Sequence, residues 1–188
     1  SSQAFVTEVA TAAGKFKDDH NGKYPGQDDI GQLTRSSPVG PYTGSQILAA
    51  RLFDYPDTQI KTTLNPTASS KYLTYESDRL ISISSKNAPI PQNSLADASR
   101  TANALLYFPS RLNVTPPTPT ECYKWNDNRV YVKFKTSAAQ SEFEKNSSKD
   151  RRTGLARQAG GMLIIGTGGN DIYQEPDNND DVTSWATE

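Results

Sequence analysis

The chain is poor in the side chains that most often carry chemistry. Among 188 residues there is one histidine, His20, one cysteine, Cys122, and one methionine, Met162. A lone cysteine excludes an internal disulfide. One histidine and one cysteine far apart in sequence cannot supply the usual zinc ligand set. Histidine acid–base chemistry must use His20 or nothing. That residue sits in the polar segment Lys17-Asp18-Asp19-His20-Asn21, which reads as a solvated helix end. No apolar run is long enough to span a membrane, and none has the pattern of a signal peptide. No Gly-x-Ser-x-Gly elbow and no P-loop pattern occurs. Gly166-Thr167-Gly168-Gly169-Asn170 is glycine-rich but lacks the dinucleotide spacing and a lysine. It also runs into carboxylates that would repel a phosphate.

Positive charge is missing from the end of the chain: no lysine or arginine follows Arg157. The residues beyond it carry Asp171, Glu175, Asp177, Asp180, Asp181 and Glu188. Just before them lies a basic stretch with Lys145, Lys149, Arg151, Arg152 and Arg157, which reads as a solvated loop. The formal net charge of −1 argues against a nucleic-acid or membrane-surface footprint. A hydrophobic fraction of 34% and a charged fraction of 22% describe a polar globular chain. Its length suits one domain, taken here as residues 1–188.

Periodicity places the elements. Phe5, Val9, Ala12, Ala13 and Phe16 form an apolar stripe, predicting a helix over 3–18 that Asn21-Gly22 stops. Nothing before Ser1 caps it, so the helix is expected to continue upstream. A second helix is expected from Ser45, as N-cap, to Asp54, with Tyr55-Pro56 ending it. Tyr72–Tyr75 and Leu80–Ile83 read as strands paired across 76–79. Ala104–Phe108 is a further apolar run ended by Pro109. Tyr123–Trp125 and Val130–Phe134 alternate on either side of Asn126-Asp127-Asn128, which predicts a hairpin. Ala138–Lys145 reads as a short helix and Met162–Ile165 as a buried strand. The expected class is α+β: an N-terminal amphipathic helix on a small antiparallel sheet, loop-rich.

The acidic tail is the strongest site signal. So many carboxylates in one loop repel one another unless the loop extends or a cation neutralises them. A calcium ion takes about six to eight oxygens at about 2.3–2.6 Å, from carboxylates and backbone carbonyls alike. Asp177-x-Asn179-x-Asp181 also resembles the opening of an EF-hand loop, but Val182 stands where that loop needs glycine. Trp185, just after the acidic run, predicts a tail packed back onto the domain.

Three segments together resemble type II secretion pseudopilins, members of the type IV pilin superfamily. The first runs from Phe5 to Gly26, an amphipathic helix ending in a polar turn and Tyr24-Pro25-Gly26. The second is the hairpin-like stretch around Asn126-Asp127-Asn128. The third runs from Leu163-Ile164-Ile165-Gly166 through Asn170-Asp171 to Asp180-Asp181-Val182-Thr183-Ser184-Trp185. The likeness is closest to the major pseudopilin and covers about a third of the chain.

That resemblance implies a pilin-like fold and a non-catalytic structural subunit. It implies a calcium-closed loop, with Asp171 and Asp181 as side-chain ligands, Asp180 and Asp177 as helpers, and carbonyls near Gly168 and Asn179. It also implies self-assembly into a helical fibre with other pseudopilins and secretion-machine components. The domain would lie on the periplasmic side of the bacterial inner membrane, anchored by an upstream hydrophobic helix. The sequence departs from the family in lacking glycines between the two aspartates, in carrying Ile172 where glycine is usual, and in residues 57–120, which have no counterpart. Two other readings stand beside it: a type IV pilin or minor pilin, and an extracellular ligand-binding module using Trp125, Tyr123 and Tyr131 as a stacking platform.

Overall fold

The computed structural model describes residues 2–33, 41–85, 89–97, 103–131, 134–166 and 182–185. Its first element is helix α1, Ser2–Asp19. Phe5, Val6, Val9, Ala12, Ala13 and Phe16 are buried along one face, as the spacing requires. The helix ends where the sequence says it should. Asn21 and Gly22 take φ of 56° and 78°, and the Gly22 amide donates to the Lys17 carbonyl at 3.0 Å, satisfying an orphan helix-end acceptor. Gln27 then ties the Tyr24-Pro25-Gly26 turn down. Its Oε1 accepts from Tyr24 N at 2.7 Å and its Nε2 donates to the carbonyls of Ser110, Gly160 and Gly161.

Helix α2, Gly44–Leu52, is capped two residues earlier than the sequence suggests. Thr43, not Ser45, is the N-cap: its Oγ1 accepts from Gln46 N at 3.1 Å, while Gln46 Oε1 accepts from Thr43 N at 2.9 Å. Ser45 serves the neighbouring strand instead, accepting from Leu95 N at 3.0 Å.

Among the described residues two antiparallel sheets follow. The first pairs β1, Leu80–Ile83, with β2, Ile90–Leu95. The expected partner of β1, Tyr72–Tyr75, is not a strand. Its aromatics are taken by α1 and the C-cap of α2: Tyr72 packs edge-on to Phe16 and donates to Asp19 at 2.8 Å, and Tyr75 packs edge-on to Phe53. β2 is hard to see in sequence because Pro91, Gln92 and Asn93 are poor strand formers. The register slips between Ile81 and Ile83. Asn93, at φ 58°, donates from Nδ2 to the carbonyls of Gln59, Ile60 and Thr63.

The second sheet is ordered β3–β4–β5: Leu106–Pro109, Met162–Gly166 and Val182–Thr183. β3 and β4 are buried throughout, because both faces of this sheet are covered. Strand alternation divides their side chains. Leu105, Tyr107, Met162 and Ile164 join the core under α1 and α2. Leu106, Phe108, Leu163 and Ile165 join a second core with Tyr123, Tyr131, Phe134, Phe143 and Trp185. α1 packs on β4, β5 and α2. The architecture is α+β, with a long N-terminal helix laid on a small antiparallel sheet.

The expected hairpin about Asn126-Asp127-Asn128 does not form among the described residues. Helix α3, Pro119–Cys122, leads into a tight turn at Trp125–Asp127. Long-range bonds to polar side chains win over strand pairing here. Asp127 is fully buried and takes a two-point ion pair from Arg111, at 2.5 and 2.8 Å. Asn128, also fully buried, donates from Nδ2 to Tyr107 O at 2.6 Å and accepts from Ser45 N at 3.2 Å. A tip that would be solvated in a hairpin is instead a buried polar hub joining α2, β3 and the turn. Helix α4, Ser137–Glu142, continues as a π-helical turn over Phe143–Ser147 and sets Phe143 against Phe108, ring centroids 4.4 Å apart.

Candidate functional site

The six residues assigned to calcium, Asp171, Asp181, Asp180, Asp177, Gly168 and Asn179, lie outside the described residues. The residues flanking the acidic segment are described. Gly166, the last residue of β4, and Val182, the first of β5, are antiparallel register partners. The segment 167–181 therefore leaves and re-enters the sheet at neighbouring positions. Its return is fastened by three contacts. Ser184 N donates to Ile164 O at 3.0 Å, and Ile164 N donates to Ser184 Oγ at 3.0 Å. Gln3 Nε2, on α1, donates to Thr183 O at 3.2 Å. Trp185 is buried at the edge of the second core, as its position after the acidic run predicts.

Arg157 holds that tryptophan from outside. Its guanidinium carbon lies 4.9 Å from the centroid of the Trp185 ring. The same group donates to the carbonyls of Ser147 at 3.1 Å, Asn146 at 3.1 Å and Lys149 at 2.9 Å. The solvated-loop reading of the basic stretch is thus corrected at this residue: Arg157 is 8% exposed. Arg151 and Arg152, by contrast, are exposed. The fork geometry of arginine fits three carbonyls converging at the end of the π-helical turn. Nothing local in the sequence distinguishes Arg157 from its basic neighbours.

The other candidates resolve into structural roles. The His20 ring stacks on Phe16 at 3.6 Å between centroids, with Nδ1 2.7 Å from Phe16 O, so it is half-buried rather than free in solvent. Tyr123 and Tyr131 are core residues, 1% and 4% exposed, and present no stacking platform. Tyr131 OH bridges Thr43 Oγ1 at 2.6 Å and Ser94 Oγ at 2.7 Å. Burial pushes its phenol up to about 12. Cys122 is buried, and burial pushes its thiol up, away from thiolate chemistry. Burial likewise pushes the Asp127 carboxyl up, while the Arg111 guanidinium opposes the rise. Among the described residues no group of three or more His, Cys, Asp or Glu side chains is placed to hold a metal, and no helix is long and apolar enough to cross a membrane.

Compared with known proteins, the chain matches no family model, no curated protein and no solved structure.

Proposed function

We propose that this domain is the globular part of a pseudopilin-like structural subunit, non-catalytic, in a type II secretion-like fibre that drives protein export. The observation that carries this reading is the joint between α1 and β5. A long amphipathic helix lies on a small antiparallel sheet whose last strand re-enters directly beside β4, with Gln3 of α1 bonded to Thr183 of that strand. A subunit so built ties its N-terminal helix directly to its sheet.

On this reading the acidic segment is a calcium-closed loop. Asp171 and Asp181 supply the principal carboxylates, Asp180 and Asp177 assist, and carbonyls near Gly168 and Asn179 complete the shell. What supports it is the fastening of both flanks, Gly166 and Val182, as register partners. Five carboxylates fall within the eleven residues 171–181 between those flanks, and a hard cation relieves the repulsion among them. The subunit would self-assemble head-to-tail with other pseudopilins, on the periplasmic side of the inner membrane, anchored by a hydrophobic helix in the full-length protein.

Deletion of the gene tests the subunit reading. The expected result is retention of the exported cargo in the periplasm, restored by the full-length gene. Undisturbed export together with loss of surface filaments would overturn it in favour of a pilin.

A further inference from the structure

A second surface stands apart from the acidic loop. Between the N-terminus of α2, the end of the β1–β2 hairpin and the turn at 126–130 lies an open groove of about 1220 Å³. Its described lining carries two cations, Lys61 and Arg129, and no carboxylate. Both are exposed, and neither makes an ion pair among the described residues. Lys61 Nζ rests 5.4 Å from the Tyr42 ring centroid, and Arg129 donates to Asn126 Oδ1 at 3.4 Å. The arginines near by are handled otherwise: Arg51 bridges Asp29 and Asp57, and Arg111 is locked to Asp127.

The apolar side chains point to the same place. Leu64, 71% exposed, and Val130, 44% exposed, are the two most exposed large hydrophobic residues described, and both line this groove. Scattered exposed apolar residues need no explanation; these two share one concave surface with two cations. Three prolines restrict the backbone of its walls. Pro41, Pro89 and Pro91 line them, each with φ fixed by its ring. Thr43 is held beneath by the hydroxyl chain through Tyr131 to Ser94. Backbone and side chains restrained in this way lose less entropy on binding.

We propose that this groove docks an extended peptide segment of a partner protein, one that alternates carboxylates with apolar side chains. The carboxylates meet Lys61 and Arg129; the apolar side chains cover Leu64 and Val130. The cavity exceeds the range of about 300–1,000 Å³ that suits small ligands. Two cations on a chain of net charge −1 are too few for a nucleic-acid backbone. The proposal does not rest on the subunit reading: it concerns binding by the isolated domain, which a test of export does not touch.

The test is fluorescence anisotropy with the purified chain and a short fluorescein-labelled peptide alternating glutamate with leucine. Saturable binding that weakens with salt is expected. The double variant Lys61→Glu, Arg129→Glu should weaken it by about tenfold or more, as loss of two ion pairs and new repulsion require. Leu64→Asp should weaken it as well. Thermal midpoints of these surface variants should match the parent; where one falls, Lys61→Gln with Arg129→Gln replaces it and should weaken binding in the same direction. A lysine–leucine peptide should not bind. Absence of saturable binding, or affinity unchanged in the charge variants, would overturn the proposal. So would equal binding of an all-glutamate peptide or a thymidine oligonucleotide, which would reduce the groove to a general anion site.

Discussion

Gly44 is the position where local and tertiary physics disagree most sharply, and Gly44→Ala decides between them. Gly44 is the first residue of α2, with an ordinary negative φ. On helix propensity alone, alanine there should stabilise by up to about 1 kcal/mol. The surroundings forbid it. A Cβ on Gly44 would collide with the carbonyl oxygen of Tyr107, and would lie 2.9 Å from that residue's carbonyl carbon and 3.0 Å from Asn128 Nδ2. The carbonyl cannot swing away easily. It belongs to β3, paired with β4, and accepts the Asn128 Nδ2 hydrogen bond at 2.6 Å. Overpacking of this kind costs about 1–3 kcal/mol. Prising Asn128 from Tyr107 costs about 1–3 kcal/mol more, because both groups are buried. The expected net loss is about 2–5 kcal/mol, or a fall in melting temperature of about 5–15 °C for a domain of this size. Gly14→Ala is the matched control. It lies in the middle of α1 with nothing within 4 Å of its added Cβ, so a gain of about 0.5–1 kcal/mol is expected. Urea unfolding followed by circular dichroism measures both. A Gly44→Ala protein as stable as the parent would refute the tight α2–β3 contact.

Three further outcomes are expected. Arg111→Ala leaves the Asp127 carboxylate buried without its counter-charge, at a cost of about 3–5 kcal/mol near neutral pH. In that variant the folded-state pKa of Asp127 stands above its unfolded value, so the folded state favours the protonated acid. The deficit should therefore shrink as pH falls towards the unfolded carboxyl range near about 4 and grow as pH rises above it; a deficit independent of pH, by denaturant titration, would count against the buried pair. Arg157→Lys keeps the charge but loses the fork that serves three carbonyls, for an expected loss of about 2–4 kcal/mol. A red-shifted, more quenchable tryptophan fluorescence should accompany it as Trp185 loosens. If the acidic loop is closed by calcium, excess chelator should lower the melting temperature of metal-loaded protein, following RT ln(1 + [L]/Kd). Asp171→Asn and Asp181→Asn should abolish that shift, and a melting curve indifferent to chelator in metal-loaded protein would remove the calcium reading.

By itself the sequence determined the elements whose signals are local. The 3.6-residue stripe from Phe5 to Phe16, the Asn21-Gly22 stop and the four-residue apolar run at Met162–Ile165 each name their structure, because a helix or a doubly covered strand leaves a periodic trace. The position of Trp185 as a packed residue was legible for the same reason: a large apolar ring after a polar run has to be buried somewhere. What only the tertiary structure decided depends on partners remote in the chain. Asn126-Asp127-Asn128 has the composition of a solvated turn, but Arg111, Tyr107 and Ser45 supply bonds that draw Asp127 and Asn128 inside. Leu80–Ile83 took Ile90–Leu95 as its partner, since Phe16 of α1 and Phe53 at the end of α2 had claimed Tyr72 and Tyr75. Arg157 is set apart from the exposed Arg151 and Arg152 by three carbonyls and an indole, and the groove with Lys61 and Arg129 gathers residues from four separate segments. Periodicity records which face of an element is apolar. It does not record which polar side chain, tens of residues away, will arrive to satisfy a buried group.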